Sequence, residues 1–337
     1  MTRKERMQRA LRHESVDRLP TQTNYTSAMG RRLAEHFGVP ITQVAERLGN
    51  HLLRVDVSYA KPANDDGSVE YDWWGAGWDT RTEGYWHSFS PLANSLDLDS
   101  YPWPDPDAPA LLTDASQAIR QGVDYFVAPN LGMCLFERAW SLRGFDALLM
   151  DMADRPEWVE ALLDRITEIQ VRLARRYVAL GVDGGYFGDD YGAQRSMLFS
   201  PRMWRRLMKP RLARMFAVFS DAGLPVILHS DGDIKAILPD LVEIGLTTLN
   251  PVQPEVLEHT WLAREYGQKL SFYGGISTQS VMPQGDGALV RQATLDCARV
   301  LAPSGTGLVL GPSHRMQSDI PLESVDTMLA AIRELGI

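Results

Sequence analysis

Short apolar runs recur seven times along this chain, and each of them ends in small or polar residues. Together with residues 18–23 they make eight candidate strands. Amphipathic helical patterns separate most of these runs, so predicted strands and helices alternate. Such alternation is typical of a parallel sheet with helical crossovers. Eight units without a Gly-x-Gly-x-x-Gly turn after the first strand favour a closed (β/α)8 barrel, or TIM barrel, over a Rossmann sheet. The predicted strands cover residues 18–23, 52–57, 125–129, 184–188, 225–229, 246–250, 270–274 and 307–311.

The helical patterns predict N-terminal helices ahead of the barrel and longer helices between its later strands. A length of 337 residues is within the range of a single α/β barrel, so we expect residues 1–337 to form one domain. The predicted helices cover residues 3–13, 29–37, 156–180, 201–222, 234–244 and 288–301.

One segment, residues 67–107, breaks the alternation after the second predicted strand. We call it the excursion. It is rich in Trp, Tyr, Gly, Asp and Pro, and its first part alternates like a hairpin, whereas its last part is an extended proline-rich loop. The aromatic side chains either pack a subsidiary core or form a lid and pocket wall at the active face. In the second interpretation, Trp74, Trp78 and Tyr85 shape an apolar wall for a substrate.

The charge balance and the cysteine count exclude several classes of protein. With 34 Lys and Arg against 43 Asp and Glu, the net charge is −9, and no basic face for nucleic acid is visible. No window approaches the roughly 18 apolar residues of a membrane helix, and the charged N-terminal segment is unlike a signal peptide. The two cysteines, Cys134 and Cys297, are far apart in sequence, which excludes a disulfide framework and a thiolate-rich zinc site. We therefore expect a cytoplasmic protein.

Polar side chains gather where the predicted strands end, and in a barrel this rim carries the catalytic groups. His229 and Asp231 lie two residues apart at the end of the fifth strand, so both side chains point the same way. His314 follows the last strand and can approach from across the rim. These three residues form a candidate metal site, with Glu137 as a further candidate ligand. The alternatives are a His229 that is merely hydrogen-bonded to Asp231 and a His314 on a surface loop.

Two adjacent carboxylates, Asp189 and Asp190, follow the fourth strand. Neighbouring side chains on a strand alternate between faces, so one of them can cap the next helix while the other faces the pocket. We expect Asp190 to face the pocket, where it acts as a general base or as a hydrogen-bond partner of the substrate, with Gln194 in support. The predicted catalytic residues are His229, Asp231, Asp190 and His314, and the predicted substrate-binding residues are Asn24, Trp74, Trp78, Tyr85, Glu137, Gln194 and Gln253.

Several stretches in combination resemble the uroporphyrinogen decarboxylase superfamily. Gly188-Asp-Asp-Tyr-Gly-Ala-Gln194, His229-Ser-Asp-Gly232 and Gly274-Gly-Ile-Ser-Thr-Gln279 carry the resemblance. The supporting stretches are residues 2–6, 17–20, 200–201, 237–240 and 249–253. The resemblance extends over nearly the whole chain and implies a (β/α)8 barrel, in agreement with the strand count.

Within this superfamily the residues favour one branch. True uroporphyrinogen decarboxylases carry an Arg-Gln-Ala-Gly-Arg-Tyr stretch whose arginines meet the carboxylates of the tetrapyrrole, but the corresponding residues 21–29 contain no arginine. The resemblance therefore favours the corrinoid-dependent methyltransferases. Their thiol-activating members hold zinc with His-x-Cys-Gly and a later Cys, whereas here Asp231 replaces the first Cys and His314 stands near the later one. What remains is either a site of nitrogen and oxygen ligands, His229, Asp231 and His314, for a divalent metal (zinc or a harder ion), or no metal at all.

Three hypotheses for the function follow. The first is a methyltransferase that moves a methyl group between a small O-, N- or S-methyl substrate and a corrinoid protein. No Asp-x-His-x-x-Gly motif for cobalamin is present, so the corrinoid would arrive on a separate partner that docks at the barrel mouth. The second is a decarboxylase of a tetrapyrrole or a smaller carboxylate. It predicts a cluster of arginines in the pocket, for which Arg195 and Arg315 are candidates, although they are scattered in the sequence. The third is a binding protein that keeps the barrel without catalytic activity and uses the aromatic excursion to hold a ligand. Each of the three hypotheses is compatible with a homodimer.

Overall fold

The computed structural model describes residues 1–84 and 86–335. Within this part of the chain, seven strands form one parallel sheet in which neighbouring strands follow each other in chain order, from β1 through β5 to β10. The same residues contain a small antiparallel sheet of three strands, β2 to β4. The strands are β1 (Leu52–Val55), β2 (Val69–Tyr71), β3 (Gly77–Asp79), β4 (Trp86–Phe89), β5 (Phe126–Leu131), β6 (Gly185–Gly188), β7 (Val226–His229), β8 (Thr248–Asn250), β9 (Ser271–Ile276) and β10 (Leu308–Pro312).

Helices precede the parallel sheet and connect most of its strands. No helix of the described residues combines the length and the apolar character that crossing a membrane requires. The α-helices are α1 (Arg3–Leu11), α2 (Ser27–Phe37), α3 (Val44–Arg47), α4 (Thr113–Arg120), α5 (Phe136–Arg143), α6 (Phe145–Asp154), α7 (Pro156–Leu180), α8 (Pro201–Leu207), α9 (Lys209–Ser220), α10 (Leu238–Glu243), α11 (His259–Tyr266), α12 (Gly287–Leu301) and α13 (Leu322–Glu334).

Seven of the eight predicted strands are confirmed, and the first, residues 18–23, is wrong as a regular strand. Thr21 instead forms two single parallel bridges, one to Asn50 and one to Leu310. The backbone N–H of Thr23 donates to the side chain of Asn50 at 2.8 Å, so this N–H is not available for a hydrogen bond between strands. The predicted strand therefore becomes an irregular segment, although it contacts both edges of the parallel sheet.

The core shows that the parallel sheet is curled. Side chains from α1 and from both edge strands pack with those from the middle of the sheet, which a flat sheet would not allow. The other face of the sheet packs against the helices in a larger apolar cluster. Because the sheet is curled and parallel, the carboxyl ends of its strands face one common rim. The inner cluster consists of Met7, Leu11, Leu52, Phe126, Ala128, Tyr186, Ile227, Tyr273 and Val309.

Two predicted helices differ from the structure because of proline. The pattern over residues 201–222 forms two helices, α8 and α9, which are separated at Met208. Pro210 has no N–H to donate, and its ring would clash with the carbonyl four residues earlier, so a new helix begins just before it. The predicted helix over residues 234–244 is shortened in the same way, because a 3-10 turn over Lys235–Ile237 precedes α10.

The excursion forms three antiparallel strands where the sequence predicts a hairpin. Asp72 lies in the turn between β2 and β3 and accepts the N–H of Trp74 at 2.9 Å. The same carboxylate pairs with Arg138 of α5 at 2.5 Å. The rings of Trp78 and Trp140 meet edge to face in this contact, with centroids 6.3 Å apart. The excursion is thus fastened to the helix that follows β5, beside the rim of the parallel sheet.

The loops after β6 and β7 lie directly against each other. Asp233 donates its N–H to the carbonyl of Ala193 at 2.8 Å. Gly232 has a φ of +78°, and a Cβ on it would overlap the backbone carbonyl of Gly192. Only glycine allows this approach without strain. Because Asp231 immediately precedes Gly232, the contact also determines where the Asp231 side chain begins.

Replacing Gly232 by alanine is expected to destabilise the protein by about 3 kcal/mol, because it combines left-handed strain with overlap of two backbones. Gly223→Ala is the matched control, since Gly223 has a φ of +69° but no atom within 4 Å of an added Cβ. The control should cost only about 1 kcal/mol, which is the strain alone. Urea unfolding of both variants measures the difference, and equal losses would contradict the loop contact.

Candidate active site

A cavity of about 720 Å³ lies at the carboxyl ends of the parallel strands, and the excursion forms one of its walls. Its aromatic lining includes Trp73, Trp74 and Trp78 of the excursion and Trp140 of α5. A smaller polar pocket of about 260 Å³ shares several of its lining residues, and His314 lines both spaces. Apolar walls with a few convergent polar groups are typical of a small-molecule site. The titratable groups that line the two spaces include Glu137, Asp190, His229, Asp231 and His314.

Asn250 determines which nitrogen of His229 carries the proton. His229 ends β7, and its Nδ1 lies 2.7 Å from Oδ1 of Asn250. The Asn250 amide is oriented by its Nδ2, which donates to the backbone carbonyl of Tyr273 at 3.0 Å, so its Oδ1 can only accept. Neutral His229 therefore carries its proton on Nδ1. Its Nε2 presents a lone pair to the cavity.

Two further donor groups converge on that lone pair. Nε2 of His229 lies 3.8 Å from Oδ1 of Asp231, and Nε2 of His314 lies 3.6 Å from Oδ2 of Asp231. These distances are longer than hydrogen bonds, so the rings do not saturate the carboxylate. One ligand atom from each of the three residues lies within 4.8 Å of the other two. The donor set, two imidazoles and one carboxylate, suits a divalent metal.

The neighbouring charges influence the protonation of these groups. Burial lowers the pKa of His314, although the Asp231 carboxylate opposes the shift. Burial raises the pKa of Asp190, and repulsion by Asp231 raises it further. Oδ1 of Asp190 accepts the N–H of Asp231 at 2.8 Å and lies 3.9 Å from Nε2 of His229. Asp190 thus positions Asp231 and stands beside the three donor groups.

Asp189 is fully buried and caps a helix. Its carboxylate accepts the N–H groups of Phe136 and Glu137, both at 2.8 Å, and the hydroxyl of Tyr191 at 2.5 Å. The capped helix is α5, which precedes the Asp189-Asp190 pair, whereas the sequence suggests the helix that follows. The reason is that β5 and β6 are neighbours in the sheet, so the start of α5 lies beside the end of β6.

Four of the predicted substrate-binding residues line the cavity, namely Asn24, Trp74, Trp78 and Glu137. Among the described residues, Gln194 and Gln253 lie away from it. Gln253 lines the smaller pocket and donates to Oε1 of Gln194 at 3.3 Å. Tyr85 lies outside the described residues.

The sequence model of the family described as Uroporphyrinogen decarboxylase (URO-D) matches residues 128–335, which is more than half of the chain. The chain belongs to the uroporphyrinogen decarboxylase family. The resemblance drawn from its motifs is confirmed by this match. No curated protein matches the sequence.

A solved structure described as a methyltransferase from Methanosarcina mazei has the same fold as this family member. It shares 21% identity over 100% of both chains, with a TM-score of 0.75. Two other solved structures are less similar, with TM-scores below 0.5, and we draw no conclusion from them. A B12-independent methionine synthase from Shewanella sp. W3-18-1 has 12% identity over 67% of this chain and 66% of its own, with a TM-score of 0.46. A phosphonopyruvate hydrolase has 14% identity over 100% of this chain and 86% of its own, with a TM-score of 0.40.

Sequence reasoning missed two residues that shape the site of this uroporphyrinogen decarboxylase family member. Asn250 ends β8 in register with His229 on β7, so its place at a strand end is the signal that could have found it. Arg54 is two residues from the inward-facing Leu52 on β1, and its guanidinium lies over the ring of Tyr186, 4.8 Å from the centroid. A cation at an inward strand position is unusual enough to have marked Arg54.

The cavity carries charges of both signs. Among the described residues that line it, the acidic groups outnumber the basic ones. Arg195, which the decarboxylase hypothesis considers, is exposed and lies away from this lining. The basic residues are Arg54, Lys61, Arg138 and Arg315, and the acidic residues are Asp56, Glu70, Asp72, Glu83, Glu137 and Asp190.

Replacing Asn250 by alanine is expected to lower the free energy of unfolding by about 1–3 kcal/mol, because the Tyr186 hydroxyl and Nδ1–H of His229 lose their acceptor. The proton of His229 should then divide between the two ring nitrogens, which ¹⁵N NMR of the imidazole detects. Asn94→Ala, at an exposed position, is the control. A His229 that keeps Nδ1–H in Asn250→Ala would show that another group sets the tautomer.

Asp189 makes the stability depend on pH. Burial raises its pKa from the ordinary value of 3.8 to about 6, so the folded state binds this proton more tightly than the unfolded state. The resulting stabilisation is fully present below pH 3.8 and is lost as the pH rises through about 6.

The stability advantage of wild type over Asp189→Asn should therefore shrink as the pH rises through that window, and should level off above it. Urea unfolding on both sides of the window measures this, with Asp154→Asn at an exposed position as the control. A difference that stays constant with pH would contradict the raised pKa.

Proposed function

We propose that this protein is a methyltransferase that moves a methyl group between a small O-, N- or S-methyl substrate and a corrinoid protein. The observation that carries the proposal is the convergence of His229, Asp231 and His314 at the side of an aromatic cavity. Membership of the family and the fold shared with the Methanosarcina mazei methyltransferase support it. The corrinoid would be carried by a separate partner that docks at the open rim.

In this proposal His229 Nε2, one Asp231 oxygen and His314 hold a divalent metal, zinc or a harder ion. When bound, such an ion acts as a Lewis acid that polarises the heteroatom carrying the methyl group. Asn250 keeps the lone pair of His229 directed at the site through the Nδ1 hydrogen bond. Asp190 holds the Asp231 backbone in place, as its Oδ1 accepts the N–H of that residue.

The remaining predicted residues divide between the two spaces. Trp74 and Trp78 form an apolar wall that excludes water from the methyl group, and Asn24 provides an amide at the same cavity. Gln253, with Gln194 bound to it, faces the Asp231 side of the site through the smaller pocket. We infer that the larger cavity takes the organic part of the substrate.

The charges of the cavity argue against the runner-up, a tetrapyrrole decarboxylase. A substrate with many carboxylates needs a surplus of cations. Here the acidic lining residues outnumber the basic ones, and Arg138 is already bound by Asp72 at 2.5 Å. We therefore place the decarboxylase second.

We also infer that the curled sheet closes into a (β/α)8 barrel, with residues 18–23 in the place of the eighth strand. The bridges of Thr21 to Asn50 and to Leu310 support this, because these partners lie at opposite edges of the sheet. A Cβ on Gly311 would overlap the carbonyl of Gln22, so β10 and this segment are in close contact.

His229→Ala is expected to abolish methyl transfer to cob(I)alamin and to remove the bound metal while leaving the fold intact. Elemental analysis, a methyl-transfer assay and circular dichroism measure the three properties. His36→Ala, in an exposed pair with Asp326 on the outside of the fold, is the matched control and should keep metal and activity. A metal-free wild type, or coproporphyrinogen formed from uroporphyrinogen, would overturn the proposal.

A further inference from the structure

Arg54 brings a positive charge into the larger cavity from β1. It is in register with Ala128, a residue of the inner cluster, so its side chain leaves the inner face of the sheet. The guanidinium lies over the ring of Tyr186, which lines the same cavity, 4.8 Å from the ring centroid. This stack uses the flat face of the guanidinium, whereas its N–H donors lie along the edge. Arg54 therefore brings hydrogen-bond donors to the cavity at a defined place.

Two hydrogen bonds connect the Tyr186 ring to the candidate metal site. Its hydroxyl donates to Oδ1 of Asn250 at 3.0 Å, and the same oxygen lies 2.7 Å from Nδ1 of His229. One phenol ring and one amide therefore separate the Arg54 guanidinium from the His229 imidazole. Both side chains line one cavity of about 720 Å³, which is within the range of small-molecule sites. A single small molecule can thus contact both of them.

The cavity differs in charge between these two places. Around His229 the neighbours are acidic, since oxygens of Asp190 and Asp231 lie 3.9 Å and 3.8 Å from its Nε2. Arg54 carries the opposite charge on the β1 side of the same cavity. An anionic group of a ligand is therefore repelled by the carboxylates near His229 and attracted by the Arg54 guanidinium.

We propose that Arg54 binds a carboxylate of the substrate, so that the methyl donor is a small carboxylate with its methyl group at the other end. The methyl-bearing end of this substrate rests on the proposed function. A planar guanidinium can hold a carboxylate by two parallel N–H···O bonds, which determine the orientation of the ligand as well as its position. One carboxylate needs only one such cation, whereas a tetrapyrrole with many carboxylates needs several.

The shape of the cavity favours a flat apolar body between the two ends of the substrate. Trp74 and Trp78 line the cavity and can pack against such a body. Because the carboxylates near His229 repel the substrate carboxylate, the molecule binds in one orientation, with its heteroatom at the metal donors. Arg54 thus determines both which methyl donors bind and which end of the molecule reaches His229.

The test is a calorimetric titration with 4-methoxybenzoate and with 4-methoxybenzamide, which has a similar shape but no charge. Wild type should bind the benzoate about 10-fold more tightly or better. Arg54→Gln should weaken benzoate binding about 10- to 100-fold, the range that hydrogen bonds to a charged group contribute, and should change benzamide binding much less. The measurement requires neither a corrinoid nor turnover.

Two further variants and one control make the test specific. Arg54→Lys keeps the charge without the two parallel donors and should recover part of the affinity for the benzoate. Asp56→Asn removes a negative charge from the same cavity, keeps an acceptor for the Asn130 amide, and should tighten benzoate binding. Arg47→Gln is the matched control, because the exposed Arg47 guanidinium also lies over an aromatic ring, that of Phe37. The control should bind both probes as wild type does, and circular dichroism checks that every variant is folded.

A wild type that binds both probes equally, or binds neither, overturns the role of Arg54. Equal losses for the two probes in Arg54→Gln overturn it as well, because they would indicate a purely structural residue. Methyl transfer from 4-methoxybenzoate to free cob(I)alamin tests the proposed function separately. A protein that holds the benzoate through Arg54 without transferring its methyl group counts against the proposed function and leaves the carboxylate site standing.

Discussion

The side chain of Asn250 joins four neighbouring strands at the rim of the sheet. Its Oδ1 accepts from Tyr186 on β6 and from His229 on β7, while its Nδ2 donates to the carbonyl of Tyr273 on β9. A buried amide with all these bonds made holds the strand ends in one arrangement, whereas a half-satisfied one would cost stability. The orientation of the His229 ring, and with it the geometry of the candidate metal site, depends on this network.

The wall of the site depends on a second polar contact, between Asp72 of the excursion and Arg138 of α5. This pair draws the tryptophan-rich strands over the same helix whose first turn carries Glu137. Helix α5 is in turn held by the buried Asp189 carboxylate at the end of β6. The aromatic wall and Glu137 are therefore positioned by one connected set of bonds, and a displacement of α5 would alter both.

Much of the fold could be predicted because a parallel strand that is buried on both faces is a continuous apolar run, which survives in the sequence. The predictions that were wrong have local causes. Residues 18–23 are mostly polar, and Thr23 donates its N–H to the side chain of Asn50. The helical pattern at 201–222 has the right period, but Pro210 interrupts its hydrogen bonds. Hydrophobic period alone detects neither effect.

The sequence by itself determined the order of strands and helices, the family, and the grouping of His229, Asp231 and His314, because the ends of parallel strands meet at one rim. Only the tertiary structure decided which atoms face each other. It placed Gln253, with Gln194 bound to it, at the smaller pocket and brought Arg54 and Asn250 into the larger one. It also placed Glu137 among carboxylates contributed by a distant strand end. Loop paths and side-chain electrostatics depend on neighbours that are far away in sequence, so no local pattern encodes them.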